Sequence, residues 1–187
     1  MRRALAILAA GLLLAGCSAT PTTTVADDGP DPFPDCGAVV ADAVGAGVPD
    51  VTVPCFHGGE SIRLAQIKGA AVVNLWASWC APCRKELPAF QALAKKTTGQ
   101  VTVLGVVTKD TRSAAGSLGE DLGLSFPAVF DADGRLSTEL VKQRLATAAL
   151  PVTLFVKDGR VAYVYQGTAL DAATLDKLVT EHLGVAA

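Results

Sequence analysis

The sequence predicts an α/β fold with a central mixed, mainly parallel β-sheet flanked by helices on both faces. Three observations carry this. From about residue 36, apolar runs of strand length alternate with segments of helical spacing. Near the end, two strand-like runs meet at Asp158-Gly159, a hairpin turn signal that adds an antiparallel pair to the sheet. Half of the 187 residues are apolar and 18% are charged, enough to build one sizeable core.

The elements follow in order. Residues 38–46 are small and apolar and fit a short helix. Val51, Thr52 and Val53 read as an edge strand limited by Pro49 and Pro54. Residues 71–76 are an apolar run expected of a strand buried on both faces. Residues 82–98 place Leu87, Phe90, Leu93 and Ala94 at helical spacing. A β-branched run at 101–107 is the next strand. A helix at 113–122 is weakened by Gly116 and Gly119. A strand at 126–130 and a helix at 137–145 follow. The hairpin strands are 152–157 and 161–165. Asp171 then caps a last helix with a stripe of Leu175, Leu178, Val179 and Leu183. Leu170 staples its start, and Gly184 ends it. No internal repeat is present.

Composition removes several functions. Sixteen basic residues against 18 acidic ones give a net charge of −2, with no basic surplus for a phosphate backbone, so nucleic acid is not an expected partner. Two histidines cannot form a multi-histidine metal site unaided.

The first residues read as an address. Met1-Arg2-Arg3 is positive, and residues 4–14 are an uncharged apolar run of signal-peptide length, too short to span a bilayer. Leu14-Ala15-Gly16-Cys17 resembles the lipobox of bacterial lipoproteins. That resemblance implies a signal peptide at 1–16, lipidation at Cys17 and anchoring to the outer face of the cell membrane. A signal peptide cut elsewhere is the alternative. Residues 17–34, rich in Thr, Asp and Pro, read as a flexible tether ahead of a domain at 35–187. An extracytoplasmic domain allows disulfides to persist. Apart from Cys17, four cysteines remain: 36, 55, 80 and 83. An even remainder suggests two pairs.

Trp79-Cys80-Ala81-Pro82-Cys83 follows a buried strand and opens a helix. Unpaired N–H groups and the helix dipole there favour a negative sulfur at Cys80, and a thiolate is the nucleophile of disulfide exchange. Cys83 is spaced to reach back and resolve a mixed disulfide. Pro82 suits the first helical turn, having no N–H to leave unpaired. Competing readings are a structural disulfide, a four-cysteine zinc site using Cys36 and Cys55, and a Cu(I) chaperone site on Cys80 and Cys83. The haem attachment signal is absent, because Arg84 follows Cys83.

The run from Val73 to Pro88, VNLWASWCAPCRKELP, closely resembles the thioredoxin superfamily, and most of all its extracytoplasmic TlpA/ResA/CcmG group. The resemblance implies a thioredoxin-like fold and a thiol–disulfide oxidoreductase with no cofactor beyond a redox-active Cys80–Cys83 disulfide. It implies a cis Pro151 beside that disulfide, leaving the backbone at Leu150 free to pair with a substrate peptide. Trp79, Ala81 and Pro82 complete the expected substrate contact.

The resemblance also bears on the buried acid and the direction of exchange. Thioredoxin's buried Asp is replaced here by Asn74, whereas Glu86 matches a Glu often present in the group and is expected to tune or relay protons at Cys83. The alternative for Glu86 is an exposed first-turn residue favoured by the helix dipole. The usual Gly-x-Pro-Thr is replaced by Ala149-Leu150-Pro151-Val152, with Thr153 one place later. The group implies a reductant serving cytochrome c maturation, with apocytochrome c as a client and a membrane electron donor to recharge it, or alternatively an oxidant that introduces disulfides into secreted proteins. Cys36 and Cys55 lie outside the family pattern. They are expected to form a structural disulfide, with a second redox pair as the alternative.

Overall fold

The structure, a computed structural model, describes residues 29–39, 47–58 and 60–187. The expected signal peptide, Cys17 and most of the expected helix at 38–46 lie outside the described residues. Gly37–Val39 is a single 3-10 turn.

Two short strands, β1 (Thr52–Pro54) and β2 (Ser61–Arg63), pair with each other as an antiparallel ribbon. The expected edge strand therefore forms, but in a sheet of its own. A bridge between Cys55 and Val129 links it to the main sheet.

The main sheet contains β3 (Ala70–Trp76), β4 (Val101–Thr108), β5 (Ala128–Asp131), β6 (Val152–Lys157) and β7 (Arg160–Gln166). Its order is β5-β4-β3-β6-β7. β3, β4 and β5 are parallel, β6 pairs antiparallel with β3, and β7 pairs antiparallel with β6 at the edge. β3 is central and buried on both faces over Ala71–Trp76, which is why its sequence is almost wholly apolar.

Helix α1 (Ala81–Lys96) joins β3 to β4, and α2 (Arg112–Asp121) joins β4 to β5. Right-handed crossovers put both on one face. There α1 and α4 (Ala172–Leu183) bury Leu87, Phe90, Leu175 and Val179 against Val72, Trp76, Val103 and Phe155. Helix α3 (Arg135–Lys142) covers the other face with Leu136 and Leu140, in a cluster that includes Val53, Ile62, Val73 and Leu154. The last helix is bounded as its sequence indicates: Asp171 accepts from the Thr174 N–H at 2.7 Å, and Gly184 takes φ +72°.

One boundary differs from the sequence reading. The expected tether ends early, because residues 29–36 already lie on the domain. Phe33 is 2% exposed and packs edge-on against Phe56 at 4.7 Å and near Trp76 at 6.2 Å. The two glycines expected to weaken α2 are where this strap crosses it. A Cβ on Gly116 would overlap the Pro30 carbonyl, and one on Gly119 would lie 2.7 Å from Pro32 Cγ. Their missing side chains are what allow the strap to sit down.

Candidate active site

The chain leaves the buried end of β3 through Ala77, Ser78 and Trp79 and enters α1 at Cys80. Cys80 is the N-cap, with extended backbone (φ −82°, ψ 101°), and its Sγ accepts from the Cys83 N–H at 3.3 Å. The helix N-terminus therefore directs an N–H at this sulfur. Cys80 and Cys83 are joined as a disulfide with Cα atoms 5.3 Å apart. Cys80 is 5% exposed and Cys83 is fully buried, so Cys80 presents the more accessible sulfur. Pro82 occupies the first turn, and Pro88 lies on the exposed side of α1.

The loop ahead of Cys80 is held from β4. Asp110 accepts from both the N–H and the hydroxyl of Ser78. The Trp79 indole N–H donates to the Lys109 carbonyl at 2.9 Å. The ring itself is 62% exposed, an apolar plate beside the disulfide. Ala81 is also exposed.

Behind the disulfide lies a buried polar set. Glu86 is fully buried on the same helix face as Cys83, one turn on. Its Oε1 accepts from Asn74 Nδ2 at 2.7 Å, and its Oε2 accepts from the Leu170 N–H at 3.0 Å. Asn74 Nδ2 also donates to Thr153 Oγ1 at 3.2 Å, while Asn74 Oδ1 has no partner among the described residues. Burial pushes the Glu86 carboxyl above its ordinary value. The Leu170 N–H and the Asn74 amide pull it back down only in part. The exposed first-turn alternative for Glu86 is thereby replaced. β3, α1, β6 and the turn before α4 each contribute one group to this set. Thr153, one place later than the family pattern has it, is the member from β6.

The Leu150–Pro151 peptide is cis. It immediately precedes β6, whose Val152 pairs with Leu75 of β3, so Pro151 stands level with the end of the strand that delivers the cysteines. Leu150 is half-buried and packs against both apolar clusters.

Cys36 and Cys55 form a second disulfide, fully buried. They belong to the cluster on the α3 side of the sheet, whereas Cys80 and Cys83 belong to the α1 side. Arg112 at the start of α2 ties this region in. It donates to the Cys55 and Phe56 carbonyls and lies over the Phe56 and Phe130 rings, 5.0 and 4.6 Å from their centroids.

Sequence reasoning placed Asn74 and Glu86 near the chemistry but missed Thr153 and Leu170 as their partners, and Lys109 and Asp110 as the partners of Trp79 and Ser78. Lys109 and Leu170 act through main-chain groups, which leave no trace in residue type.

A sequence profile of the AhpC/TSA family matches residues 44–164. The chain belongs to this family. Its relatives there are thiol–disulfide oxidoreductases of the ResA type. The protein named thiol-disulfide oxidoreductase ResA of Geobacillus thermodenitrificans is 31% identical over 129 residues, 67% of this chain and 71% of that one. The ResA of Bacillus subtilis is 30% identical over 121 residues, 63% of this chain and 65% of that one. The chain thus spans just under two thirds of the Bacillus protein. Among solved structures, a DsbF homologue from Corynebacterium diphtheriae superposes with a TM-score of 0.64 at 23% identity, covering 82% of this chain and 99% of that one. A secreted Mycobacterium tuberculosis disulfide oxidoreductase gives 0.60 at 21% identity, covering 71% and 96%. At these identities the two structures establish the thioredoxin-like fold of the family.

Proposed function

We propose that this chain exchanges disulfides with protein substrates through Cys80 and Cys83. The observation that carries the reading is the asymmetric pair: Cys80 at a helix N-cap behind an exposed Trp79, and Cys83 buried one turn in.

In the reducing direction the Cys80 thiolate attacks one sulfur of a substrate disulfide, forming a mixed disulfide and releasing one substrate thiolate. Cys83 then loses its proton and attacks the Cys80 sulfur. The second substrate thiolate leaves. The substrate has gained two electrons, and Cys80–Cys83 is oxidised. Glu86 serves as the proton partner of Cys83, one turn along the same buried face. Trp79, Ala81, Pro82 and Leu150 form the surface that meets the substrate around the cis Pro151. The disulfide is itself the redox group, so the exchange needs no metal or organic cofactor.

We assign the direction as reduction, with apocytochrome c disulfides as the client class and a membrane thiol-redox donor to recharge the pair. Two things support this. The relatives of the chain are of the ResA type. A carboxyl beside Cys83 also disfavours a thiolate there when it ionises, which favours the disulfide over the dithiol form and lowers the potential. The setting is extracytoplasmic, with the chain anchored through a lipid on Cys17. Among the described residues no helix is long and apolar enough to cross a membrane. Cys36–Cys55 acts as a structural tie, since the sheet separates it from the reactive pair.

The test is the reduction potential of Cys80–Cys83 by equilibration against glutathione or dithiothreitol. A value near ~−270 mV is expected, and one near ~−120 mV would reverse the direction. Insulin reduction that persists unchanged in Cys80→Ser would remove the exchange reading altogether.

A further inference from the structure

We propose that Gln166 is a positioning residue for substrate recognition, and that it acts by holding the loop that precedes the cis proline. The inference rests on the exchange function proposed above.

Gln166 is the last residue of β7, the edge strand, where it pairs with Val152 of β6. Its side chain reaches beyond the ladder to the chain just before Pro151. Oε1 accepts from the Thr147 N–H at 2.8 Å. Nε2 donates to the Ala149 carbonyl at 2.6 Å and to the Thr147 carbonyl at 3.2 Å. One amide thus uses its acceptor and both donors on three main-chain groups of a three-residue stretch. It does for residues 147–149 what a further strand would do, although they lie outside any strand.

The loop needs such a hold. Residues 147–149 are exposed, and α3 has already ended at Lys142. Among the described residues, the only other side-chain bond within the stretch is a long one, from the Ala149 N–H to Thr147 Oγ1 at 3.4 Å. Leu150 therefore sits between two fixed points: the Gln166 amide on one side and the cis peptide on the other. Its backbone is the element that a substrate peptide would line up against. A loop free to rotate at 147–149 would offer that edge in many orientations, and each would have to be frozen on binding. Gln166 removes that cost in advance. It has no reason to alter the sulfur chemistry, because the N-cap and the Glu86 set are built from other elements.

The experiment compares two substrates in wild-type protein and in Gln166→Leu. One is a protein disulfide, insulin. The other is a small disulfide, oxidised glutathione, which needs no extended peptide contact. Insulin kcat/KM is expected to fall about tenfold, carried by KM, the scale of one to two lost hydrogen bonds. The rate with oxidised glutathione and the Cys80–Cys83 potential are expected to stay at wild-type values. Gln166→Glu provides a second variant, which keeps the acceptor for Thr147 and loses both donors. It is expected to show the same selective loss. Equal losses on both substrates, or no loss on insulin, would overturn the inference while leaving the exchange function standing. Wild-type protein inactive on both substrates would overturn the exchange function and this inference with it.

Discussion

Replacing Glu86 by glutamine removes a charge from the interior while keeping the shape that the Leu170 N–H and Asn74 are built around. Glu86 is fully buried, and burial holds its carboxyl above the ordinary carboxylate value. In the unfolded chain that carboxyl ionises near pH ~4.3. The folded protein resists ionisation until higher pH. The stability contributed by the neutral acid is therefore complete below about 4.3 and is lost as pH rises through the folded value. The loss amounts to about 1.4 kcal/mol for each pH unit by which the folded value is raised.

The introduced amide cannot ionise, so the variant escapes this loss. It also has a partner ready. Among the described residues Asn74 Oδ1 is unpaired, and turning the Asn74 amide over presents that oxygen to the new NH2, with the Thr153 hydroxyl rotating to donate. Glu86→Gln is therefore expected to match wild type near pH 4 and to become progressively more stable than it toward pH 8. Glu86→Leu is the control. It strands the buried Leu170 N–H, at a cost of about 1–3 kcal/mol near pH 4. The assay is urea denaturation of the oxidised protein at intervals from pH 4 to 8. Wild-type and Glu86→Gln curves that shift in parallel across that range would refute the reasoning. Difference curves isolate Glu86, because the other carboxylates are common to both proteins.

Two further predictions concern the N-terminal part of the domain. Cys36→Ser with Cys55→Ser opens a loop of sequence separation 19 and is expected to lower stability by about 3 kcal/mol, read by denaturation. Exchange with a small disulfide should persist in that variant, and its loss would mean that the second pair takes part in the redox cycle. Gly116→Ala offers a decision by sign. On helix propensity alone it should stabilise by about 1 kcal/mol, whereas overlap with the Pro30 carbonyl should lift the strap and expose Phe33, costing about 1.5–3 kcal/mol. A net loss with faster proteolysis before residue 34 is expected, and a net gain with unchanged proteolysis would contradict the packing described.

The elements that show in the sequence are those whose burial or turn chemistry is local. β3 is apolar throughout because both its faces are covered. The β6–β7 hairpin shows in Asp158-Gly159, where Asp158 and Gly159 both take positive φ. Asp171 and Gly184 mark the ends of α4 by the groups that satisfy its first and last turns. The strap was not legible. Phe33 is a single apolar residue among Pro and Asp, without periodicity, and its partners Phe56, Trp76 and Gly119 are brought to it only by the fold. β2 has three residues with alternating burial, too short to stand out from a loop. At the site, the cysteines and Pro151 could be placed from residue type and family pattern. The Leu170 N–H beneath Glu86, and the Gln166 amide reaching 17 and 19 residues back to the cis-proline loop, depend on long-range register.

The direction in which the strap runs has a geometric consequence. Gly29 lies against Ser113 in the first turn of α2, Pro30 against Gly116, and Phe33 against Gly119 in the last turns. The described part of the strap thus begins at the start of α2. That start directly follows Lys109 and Asp110, which hold Trp79 and Ser78. That end of the strap and the redox face therefore occupy the same end of the molecule. From Cys17 to Gly29 the chain can reach at most about 40 Å. Lipidated at Cys17, as proposed, the domain would stay within that reach of the bilayer. Disulfides of proteins held close above that surface would meet Cys80 more often than those of proteins diffusing freely away from it.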